Sequence, residues 1–351
     1  MINPSRAKSS ADPPVTMAGP SDETVTCIAM ADSQRAHAPP TAADLNDAHR
    51  RIEPYAHRTP LLTSSDFDDR CGARVFFKCE NLQKIGAFKF RGACNAVFSL
   101  DEKELERGVV AHSSGNHAQA LALAARLRGA RATIVMPENS AAVKIAAVED
   151  YGAEVILCPP GTEARESTTS LVLAETGATL VHPFDDPRII AGQATAAKEV
   201  FEEVSDLDLI LAPIGGGGLL SGTALAASTF SPGTAVVGAE PKAADDAARS
   251  LASGAIQPAI DPPRTVADGL RTCLSELTFA MIRSGVRRIV TVDEEAIIEA
   301  MRTVWMRMKI LIEPSAAVPV AALLGDDLDV ADQRVAVILS GGNVDLDALP
   351  W

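Results

Sequence analysis

Short apolar runs alternate with Ala- and Leu-rich stretches along the chain from about Thr41 onwards. The runs are rich in β-branched residues, as in buried strands, whereas the stretches between them have the apolar spacing of helices. Strands are predicted at residues 75–78, 109–112, 133–136, 154–157, 207–212, 235–239, 288–292 and 335–339, with an extended segment at 59–62. Helices are predicted at 42–52, 118–127, 195–204, 219–229 and 294–308. Apolar strands separated by helices indicate an α/β fold whose parallel sheets are covered on both faces.

Residues 1–40 differ in composition from the rest of the chain. They contain six prolines among Ser, Ala, Thr and Asp, and they show no hydrophobic period. Such a stretch cannot bury enough apolar surface to offset the entropy that is lost on ordering. We therefore expect a disordered N-terminal extension, and a translation start at Met17 or Met30 is an alternative explanation of the same segment.

The composition is that of a soluble globular protein. The chain has 351 residues, of which 47% are hydrophobic and 22% charged, enough for about two domains. The formal net charge of −14 argues against nucleic-acid and anionic-membrane partners, and no apolar run approaches the roughly 20 residues of a membrane span. The six cysteines form no C-x-x-C motif, so we expect free thiols and a cytoplasmic location.

Ligands of open α/β sheets bind at the carboxyl ends of the strands, so the residues after each predicted strand are candidates. Residues 113–117 (Ser-Ser-Gly-Asn-His) open a helix and could bind a carboxylate or phosphate, although an ordinary N-cap is the simpler explanation when they are taken alone. The four glycines at 215–218 favour a backbone cup for a phosphate over a merely tight turn. Residues 340–343 (Ser-Gly-Gly-Asn) place a hydroxyl at a third strand end, or form a simple turn.

Lys89 stands between Phe88 and Phe90 at an apolar helix start. Desolvation there would lower the pKa of the amine, and such a lysine can form a Schiff base. A lysine that lays its stem along apolar surface and keeps its amine in water is the simpler alternative for this residue alone. The combination changes the balance, because a Schiff-base lysine, a phosphate cup, a carboxylate-binding turn and a hydroxyl for a ring nitrogen are together what pyridoxal phosphate requires.

The sequence resembles the fold-type II pyridoxal-phosphate enzymes of the serine/threonine dehydratase and serine racemase family, from about Leu45 to the C-terminus. The matching motifs are residues 76–81, 86–93, 112–119, 190–193, 215–218, 267–269, 311–314 and 339–345. The resemblance implies a tryptophan-synthase-β-like α/β fold of two domains, each with a mainly parallel sheet flanked by helices. A large cofactor-binding domain of residues 41–106 and 191–351 would flank a small domain of residues 107–190, with the cofactor between them.

The resemblance also implies roles for individual residues. Lys89 would form the Schiff base with the cofactor and remove the Cα proton of the substrate. The rest of the cofactor would be held by Phe88 against the ring, Asn116 at the ring hydroxyl, Ser340 at the pyridine nitrogen, and Gly215, Gly216, Gly217, Gly218 and Leu219 at the phosphate. The substrate carboxylate would lie against Ser113, Asn116 and His117, with Arg165 as a further substrate-side residue.

A possible metal site follows the predicted strand at 235–239. Glu240 and Asp246 supply two carboxylates, with a backbone carbonyl between them at Ala244. Hard oxygen ligands of this kind suit Mg²⁺ or Ca²⁺, whereas acidic residues alone could simply complement a helix dipole. Because the divalent-cation site of the family resembles this pattern at Glu240, Ala244 and Asp246, we expect an activating Mg²⁺, or Ca²⁺ or Mn²⁺ in its place.

The implied activity is β-elimination of small hydroxy amino acids, chiefly L-serine and L-threonine, to a 2-oxo acid and ammonia. Ser114 matches the second proton carrier of the family's racemases, so serine racemase activity is expected beside the dehydratase. Ile85 and Ala87 stand where Thr and Ser are usual, and Ala-Phe-Lys-Phe-Arg-Gly looks like the branch that dehydrates 3-hydroxyaspartate. That activity is the alternative, and a non-catalytic cofactor-binding regulator is a remote one. The resemblance further implies a homodimer and allows a nucleotide effector.

Overall fold

The computed structural model describes residues 38–260 and 262–351. The predicted disordered extension at 1–40 lies almost wholly outside the described residues. The strands of the described part are β1 (Leu61–Thr63), β2 (Arg74–Cys79), β3 (Val109–His112), β4 (Ala132–Pro137), β5 (Glu154–Cys158), β6 (Thr179–Leu180), β7 (Leu209–Pro213), β8 (Ala235–Pro241), β9 (Arg288–Val292) and β10 (Arg334–Leu339). They form a six-stranded sheet in the order β1-β2-β10-β7-β8-β9 and a four-stranded sheet in the order β5-β4-β3-β6.

Helices connect and flank these strands. The α-helices are α1 (Ala42–Ile52), α2 (Ser65–Cys71), α3 (Lys89–Phe98), α4 (Glu102–Arg107), α5 (Asn116–Arg128), α6 (Ala142–Asp150), α7 (Thr162–Thr176), α8 (Pro187–Glu203), α9 (Gly218–Phe230), α10 (Asp246–Ser253), α11 (Glu276–Gly285), α12 (Glu294–Met308) and α13 (Pro314–Leu324). Short 3₁₀ turns lie at Glu80–Leu82, Lys84–Gly86, Lys242–Ala244 and Asp268–Leu270. Among the residues described, no helix combines the length and apolarity needed to cross a membrane.

The six-stranded sheet is parallel except for β1, which pairs antiparallel with β2. Successive side chains of a strand point to opposite faces, and both faces of β10 are apolar. Val335, Val337 and Leu339 pack in a core with α12 and α13, whereas Ala336 and Ile338 pack in a second core with α8 and α9. A sheet covered on both faces explains why its strands are apolar almost throughout.

The four-stranded sheet is entirely parallel and is likewise covered on both faces. On one face Ala111 and Ile134 pack with α5, and on the other Val110 and Val135 pack with Val172 of α7. All four strands lie within residues 107–190, and the strands of the larger sheet lie outside that range. The two sheets therefore agree with the predicted fold class, while the domain boundaries stay a prediction.

The predicted strands are all present, with ends that differ by two residues at most. The largest error concerns α8, which was predicted at 195–204 and begins at Pro187. The carboxylate of Asp186 caps this helix by accepting from the backbone N–H of Arg188, and Pro187 occupies the first turn. Asp-Pro is a recognisable helix start, so this signal was available in the sequence. The two-residue strand β6 was missed because it has no pattern of its own.

Candidate active site

Lys89 is the first residue of α3, and its side chain is half-buried. Its Nζ donates a hydrogen bond to the backbone oxygen of Pro183 at 2.8 Å. Burial lowers the pKa of Lys89 to about 8, and the negative charge of Glu313 partly opposes this shift. A lysine that loses its proton this readily can act as a nucleophile and as a base near neutral pH.

The segment before Lys89 is attached to the end of β10. The backbone N–H of Phe88 donates to the backbone oxygen of Ser340 at 3.0 Å, and Ala87 pairs with Gly341 in an isolated β-bridge. Ser340 is buried, and the amine of Lys89 lies 5.3 Å from the centre of the Phe88 ring. The structure thus brings together the lysine segment and the Ser340 turn, two segments that lie far apart in the sequence and are predicted from separate motifs.

The glycine loop connects β7 to α9 and leaves no room for side chains. Gly217 has a φ of +89°, in the left-handed region that favours glycine. A Cβ at Gly216 would clash with the Phe184 ring, and one at Gly217 would come within 2.9 Å of three side chains. The first backbone N–H groups of α9, including that of Leu219, have no partner within the helix. The loop therefore offers backbone N–H groups, at the positive end of a helix, to an anion such as a phosphate.

Asn116 links the turn after β3 to the carboxyl edge of the larger sheet. Its Nδ2 donates to both carboxylate oxygens of Glu313, at 3.0 and 3.1 Å, and its Oδ1 accepts from Nδ2 of Asn343 at 2.8 Å. Ser113 and Ser114 lie half-buried in the same turn, where the Ser113 hydroxyl accepts from the N–H of Gly115. Asn116 and Lys89 therefore share Glu313 as a neighbour.

Glu313 and Asn343 lie in this site although no sequence pattern predicts them as site residues. Glu313 is only 4% exposed. This burial is the main reason why the pKa of its carboxyl group is raised to about 7. Both residues fall in motifs that carry the family resemblance, but an acidic residue such as Glu313 before Pro314 at a helix start simply suggests a charge that complements the helix dipole. Nothing local in the sequence indicates that its carboxyl group is buried beside Lys89.

The ring of His117 does not face an anion site. It is buried, and its Nε2 lies 2.9 Å from the Val181 oxygen. Burial, followed by the charge of Lys89, lowers the pKa of His117 to about 3, so the ring is neutral. The group of His117 that could still donate to a substrate carboxylate is its backbone N–H, in the first turn of α5.

Arg165 lies on α7, beside the smaller sheet. Its guanidinium donates to the Gly161 oxygen and the Thr162 hydroxyl, and it forms no ion pair within the part of the chain that is described. After burial, the charge of Arg165 is the second cause that lowers the pKa of His112, at the end of β3. Arg165 is therefore near the carboxyl end of β3, and within the described residues it forms no hydrogen bond to another predicted site residue.

The predicted metal ligands are buried together at the end of β8. The Glu240 carboxylate accepts from the backbone N–H groups of Ala247 and Ala248, and Oδ2 of Asp246 is buried without a hydrogen-bond partner. Burial raises the pKa of Glu240 to about 8 and that of Asp246 to about 6. Ala244 lies in the 3₁₀ turn between them. A buried carboxylate oxygen that lacks a partner fits a cation ligand, although no group of three or more His, Cys, Asp or Glu gathers anywhere in the described residues.

Comparison with known proteins identifies relatives along most of the chain. The family described as "Pyridoxal-phosphate dependent enzyme" matches residues 52–341. The β-hydroxyaspartate dehydratase of Paracoccus denitrificans is 50% identical over 312 residues, which are 89% of this chain and 99% of that protein. The serine racemase of Dictyostelium discoideum is 49% identical over 88% of this chain and 96% of its own length.

Solved structures show the same relationship. The crystal structure of that Dictyostelium serine racemase has a TM-score of 0.85 and covers 88% of this chain and 100% of its own. The crystal structure of a threonine deaminase from T.th. has a TM-score of 0.83 at 47% identity, with 88% of this chain and 99% of the other covered. Because these relatives are enzymes, the remote alternative of a non-catalytic regulator is not supported. The chain belongs to the fold-type II pyridoxal-phosphate-dependent enzymes, among the serine racemases and hydroxyaspartate ammonia-lyases.

Proposed function

We propose that this enzyme eliminates the β-hydroxyl group of small 3-hydroxy amino acids and releases a 2-oxo acid and ammonia. The observation that carries this proposal is the lowered pKa of Lys89, whose Nζ donates to Pro183, the neighbour in sequence of the Phe184 ring that packs against the glycine loop. The residues present fit pyridoxal phosphate, because the backbone N–H groups of the glycine loop and of the first turn of α9 suit its phosphate, and an amine with a lowered pKa suits its aldehyde. Pyridoxal phosphate, when bound, withdraws electrons from the substrate and makes its Cα proton acidic.

The residues of this chain divide the remaining work. Lys89 would hold the cofactor in the resting enzyme, and its Nζ, once free of that bond, would take the proton from Cα of the substrate. The β-hydroxyl group would leave as water with the proton that Lys89 has taken from Cα, and hydrolysis of the released unsaturated amine gives the 2-oxo acid and ammonia. Ser340 would face the ring nitrogen with an uncharged hydroxyl, so it would not hold a proton there as a carboxylate would. This favours early loss of the hydroxyl group.

Two substrate classes fit this site. L-Serine and L-threonine are one class, and the threonine deaminase and serine racemases among the relatives support them. 3-Hydroxyaspartate is the other, and it is equally supported by the 50% identical dehydratase. Arg165 favours the dicarboxylic substrate, because its charge lies near the end of β3 without an acidic partner among the described residues.

The test is an assay of 2-oxo acid formation with the cofactor-loaded enzyme on L-serine, L-threonine and the isomers of 3-hydroxyaspartate. We expect turnover of at least one class, and the Arg165→Gln variant should raise KM for 3-hydroxyaspartate more than for L-serine. No 2-oxo acid from any of these substrates would overturn the proposal. Equal effects of Arg165→Gln on both classes would remove the argument for the dicarboxylic substrate.

A divalent cation at Glu240, Ala244 and Asp246 is part of the same proposal. The partnerless Asp246 oxygen and the adjacent Glu240 carboxylate would bind Mg²⁺ through oxygen atoms, as this ion prefers. Removal of the ion with a chelator should lower both the melting temperature and activity, and added Mg²⁺ should restore them. If both are unchanged, the site holds no functional ion. The homodimer, the cytoplasmic location and a nucleotide effector stay predictions.

A further inference from the structure

The side-chain amide of Asn116 is held at both of its polar atoms. Its Nδ2 lies 3.0 and 3.1 Å from the two carboxylate oxygens of Glu313, and its Oδ1 lies 2.8 Å from Nδ2 of Asn343. The backbone N–H of Asn343 also donates to Oε2 of Glu313 at 3.1 Å. These three residues form a closed set of hydrogen bonds, which we name the Asn116 clamp.

The chemistry of the acceptors fixes which way each amide faces. Nδ2 of Asn343 also donates to the Ile85 oxygen at 2.7 Å, and a carbonyl oxygen can only accept. The amide nitrogen of Asn343 must therefore point toward Asn116 and Ile85. At the other end, an ionised Glu313 can only accept, so Asn116 must present its nitrogen to it. Two independent acceptors thus impose one orientation on both amides.

A flipped Asn116 amide would be unfavourable at each contact. Its Oδ1 would face the Glu313 carboxylate, and its Nδ2 would face the amide nitrogen of Asn343. Glu313 is only 4% exposed, so water can do little to compensate for the hydrogen bonds that would be lost. Asn343 is fixed as well, because its Nδ2 also donates to the Ile85 oxygen and its backbone N–H donates to Glu313.

The clamp leaves one group of Asn116 unused. The nearly equal distances from Nδ2 to the two Glu313 oxygens are those of one hydrogen shared between both of them. The second hydrogen on Nδ2 has no acceptor in the described residues. Asn116 can therefore offer the cofactor a donor but not an acceptor, because its Oδ1 is occupied by Asn343.

We propose that Glu313 and Asn343 are positioning residues that keep Asn116 as an N–H donor to the 3-oxygen of the cofactor ring and so hold that oxygen in its ionised form. This inference deepens the proposed function and rests on it, since Asn116 can act in this way only if pyridoxal phosphate occupies the site. A donor stabilises the ionised oxygen, whereas an acceptor would favour the protonated one. The clamp would thereby set the absorption spectrum of the lysine-bound cofactor.

The test uses Glu313→Gln and Asn343→Asp, two variants of nearly unchanged shape. Gln can present either an N–H group or an oxygen to Asn116, so the orientation is no longer imposed. Asp cannot donate to Oδ1 of Asn116 or to the Ile85 oxygen. Each purified protein is loaded with pyridoxal phosphate at about pH 8.5, above the Glu313 pKa of about 7. The visible and near-ultraviolet absorption bands, the dissociation constant of the cofactor and the melting temperature are then measured.

We expect both variants to shift absorbance from the visible band toward the near-ultraviolet band and to bind the cofactor about three- to tenfold more weakly. The control is Asp268→Asn, which removes a negative charge that acts on Glu313 without contacting Asn116. The control should keep the visible band, which separates the hydrogen-bond effect from a general change of charge.

The outcomes are distinct. Variants that bind the cofactor and keep the wild-type ratio of bands would overturn the inference, and so would an equal shift in the control. If one variant fails to fold, the other still decides the matter. A wild-type protein that forms no lysine-bound chromophore at all would instead overturn the proposed function.

Discussion

Lys89 obtains its chemical character from burial at the start of α3. Among the described residues its amine has one hydrogen-bond acceptor, the Pro183 oxygen, and the ring of His117 nearby is neutral. Desolvation disfavours the charged form of a lysine, and Glu313 offsets only part of that effect. The free enzyme therefore holds a lysine that becomes neutral at a pH where exposed lysines stay charged.

The rate at which the cofactor-free protein captures pyridoxal phosphate should follow the ionisation of Lys89. The neutral amine is the reactive form, so the rate should rise about tenfold per pH unit and level off above about pH 8. Stopped-flow absorbance measures this rate, with Lys89→Ala as the inactive control. A rate that still rises steeply near pH 10 would show an unperturbed lysine.

Ser114 lies half-buried in the turn after β3, where the predicted second proton carrier would act. Racemisation needs a proton donor on the face of the substrate opposite Lys89, whereas elimination does not. Ser114→Ala should therefore abolish racemisation of L-serine and keep at least about a tenth of the 2-oxo acid formation. Chiral chromatography and the 2-oxo acid assay measure the two activities. Equal loss of both would show that Ser114 serves binding instead.

At the scale of elements, a buried network of charges fixes α3 against α8 and β2. Arg91 of α3 donates to Glu80 at 2.7 Å and to Glu199 of α8 at 2.7 Å, and Lys78 of β2 lies 2.5 Å from Glu199. The charges of the two cations and the two carboxylates cancel, and all four side chains are at most 5% exposed. Buried charges are tolerated only when they are paired in this way.

Arg91→Met should cost about 3–5 kcal/mol of unfolding free energy, because Glu80 and Glu199 lose their shared partner inside the protein. The matched control is Arg58→Met, which removes ion pairs to Glu202 and Glu203 from a side chain that is 49% exposed. That change should cost less than about 1 kcal/mol. Chemical denaturation measures the free energy of unfolding of both variants. A similar decrease in the two variants would contradict the expected difference between buried and exposed ion pairs.

The glycine loop between β7 and α9 allows an equally specific test. Gly216→Ala would force the Phe184 ring or the loop to move, so cofactor affinity should fall at least about tenfold. Gly233→Ala is the matched control, because nothing lies within 4 Å of the added Cβ there. Fluorescence titration with pyridoxal phosphate measures both variants. Unchanged affinity of Gly216→Ala would mean that the loop does not bind the phosphate.

At the scale of the whole molecule, the sequence predicts those features that depend on residues close together along the chain. The apolar strands, the tetraglycine loop and the lysine between two phenylalanines each have a pattern of their own, and their elements were found with small errors. The contacts of Asn116 with Glu313 and Asn343 join residues that are 197 and 227 positions apart. No periodicity in the sequence predicts such a contact, because the contact depends on how the complete fold places the two sheets.

The net charge of −14 likewise describes the whole molecule and does not describe the candidate site. It suggests a surface that repels anions, yet the candidate site offers backbone N–H groups at the starts of α5 and α9 to a carboxylate and a phosphate. Local dipoles act over the first turn of a helix, whereas charges on a distant surface are screened by salt. The local geometry, and not the total charge, therefore indicates the ligand.

The most direct test of the central claim is to locate the cofactor on the chain. The pyridoxal-phosphate-loaded protein is reduced with borohydride, digested, and its peptides are analysed by mass spectrometry. The reduced cofactor should be found on Lys89 and should be absent from the Lys89→Ala variant treated in parallel. A label on a different lysine, or a loaded wild-type protein with no label on Lys89, would contradict the assignment of this site.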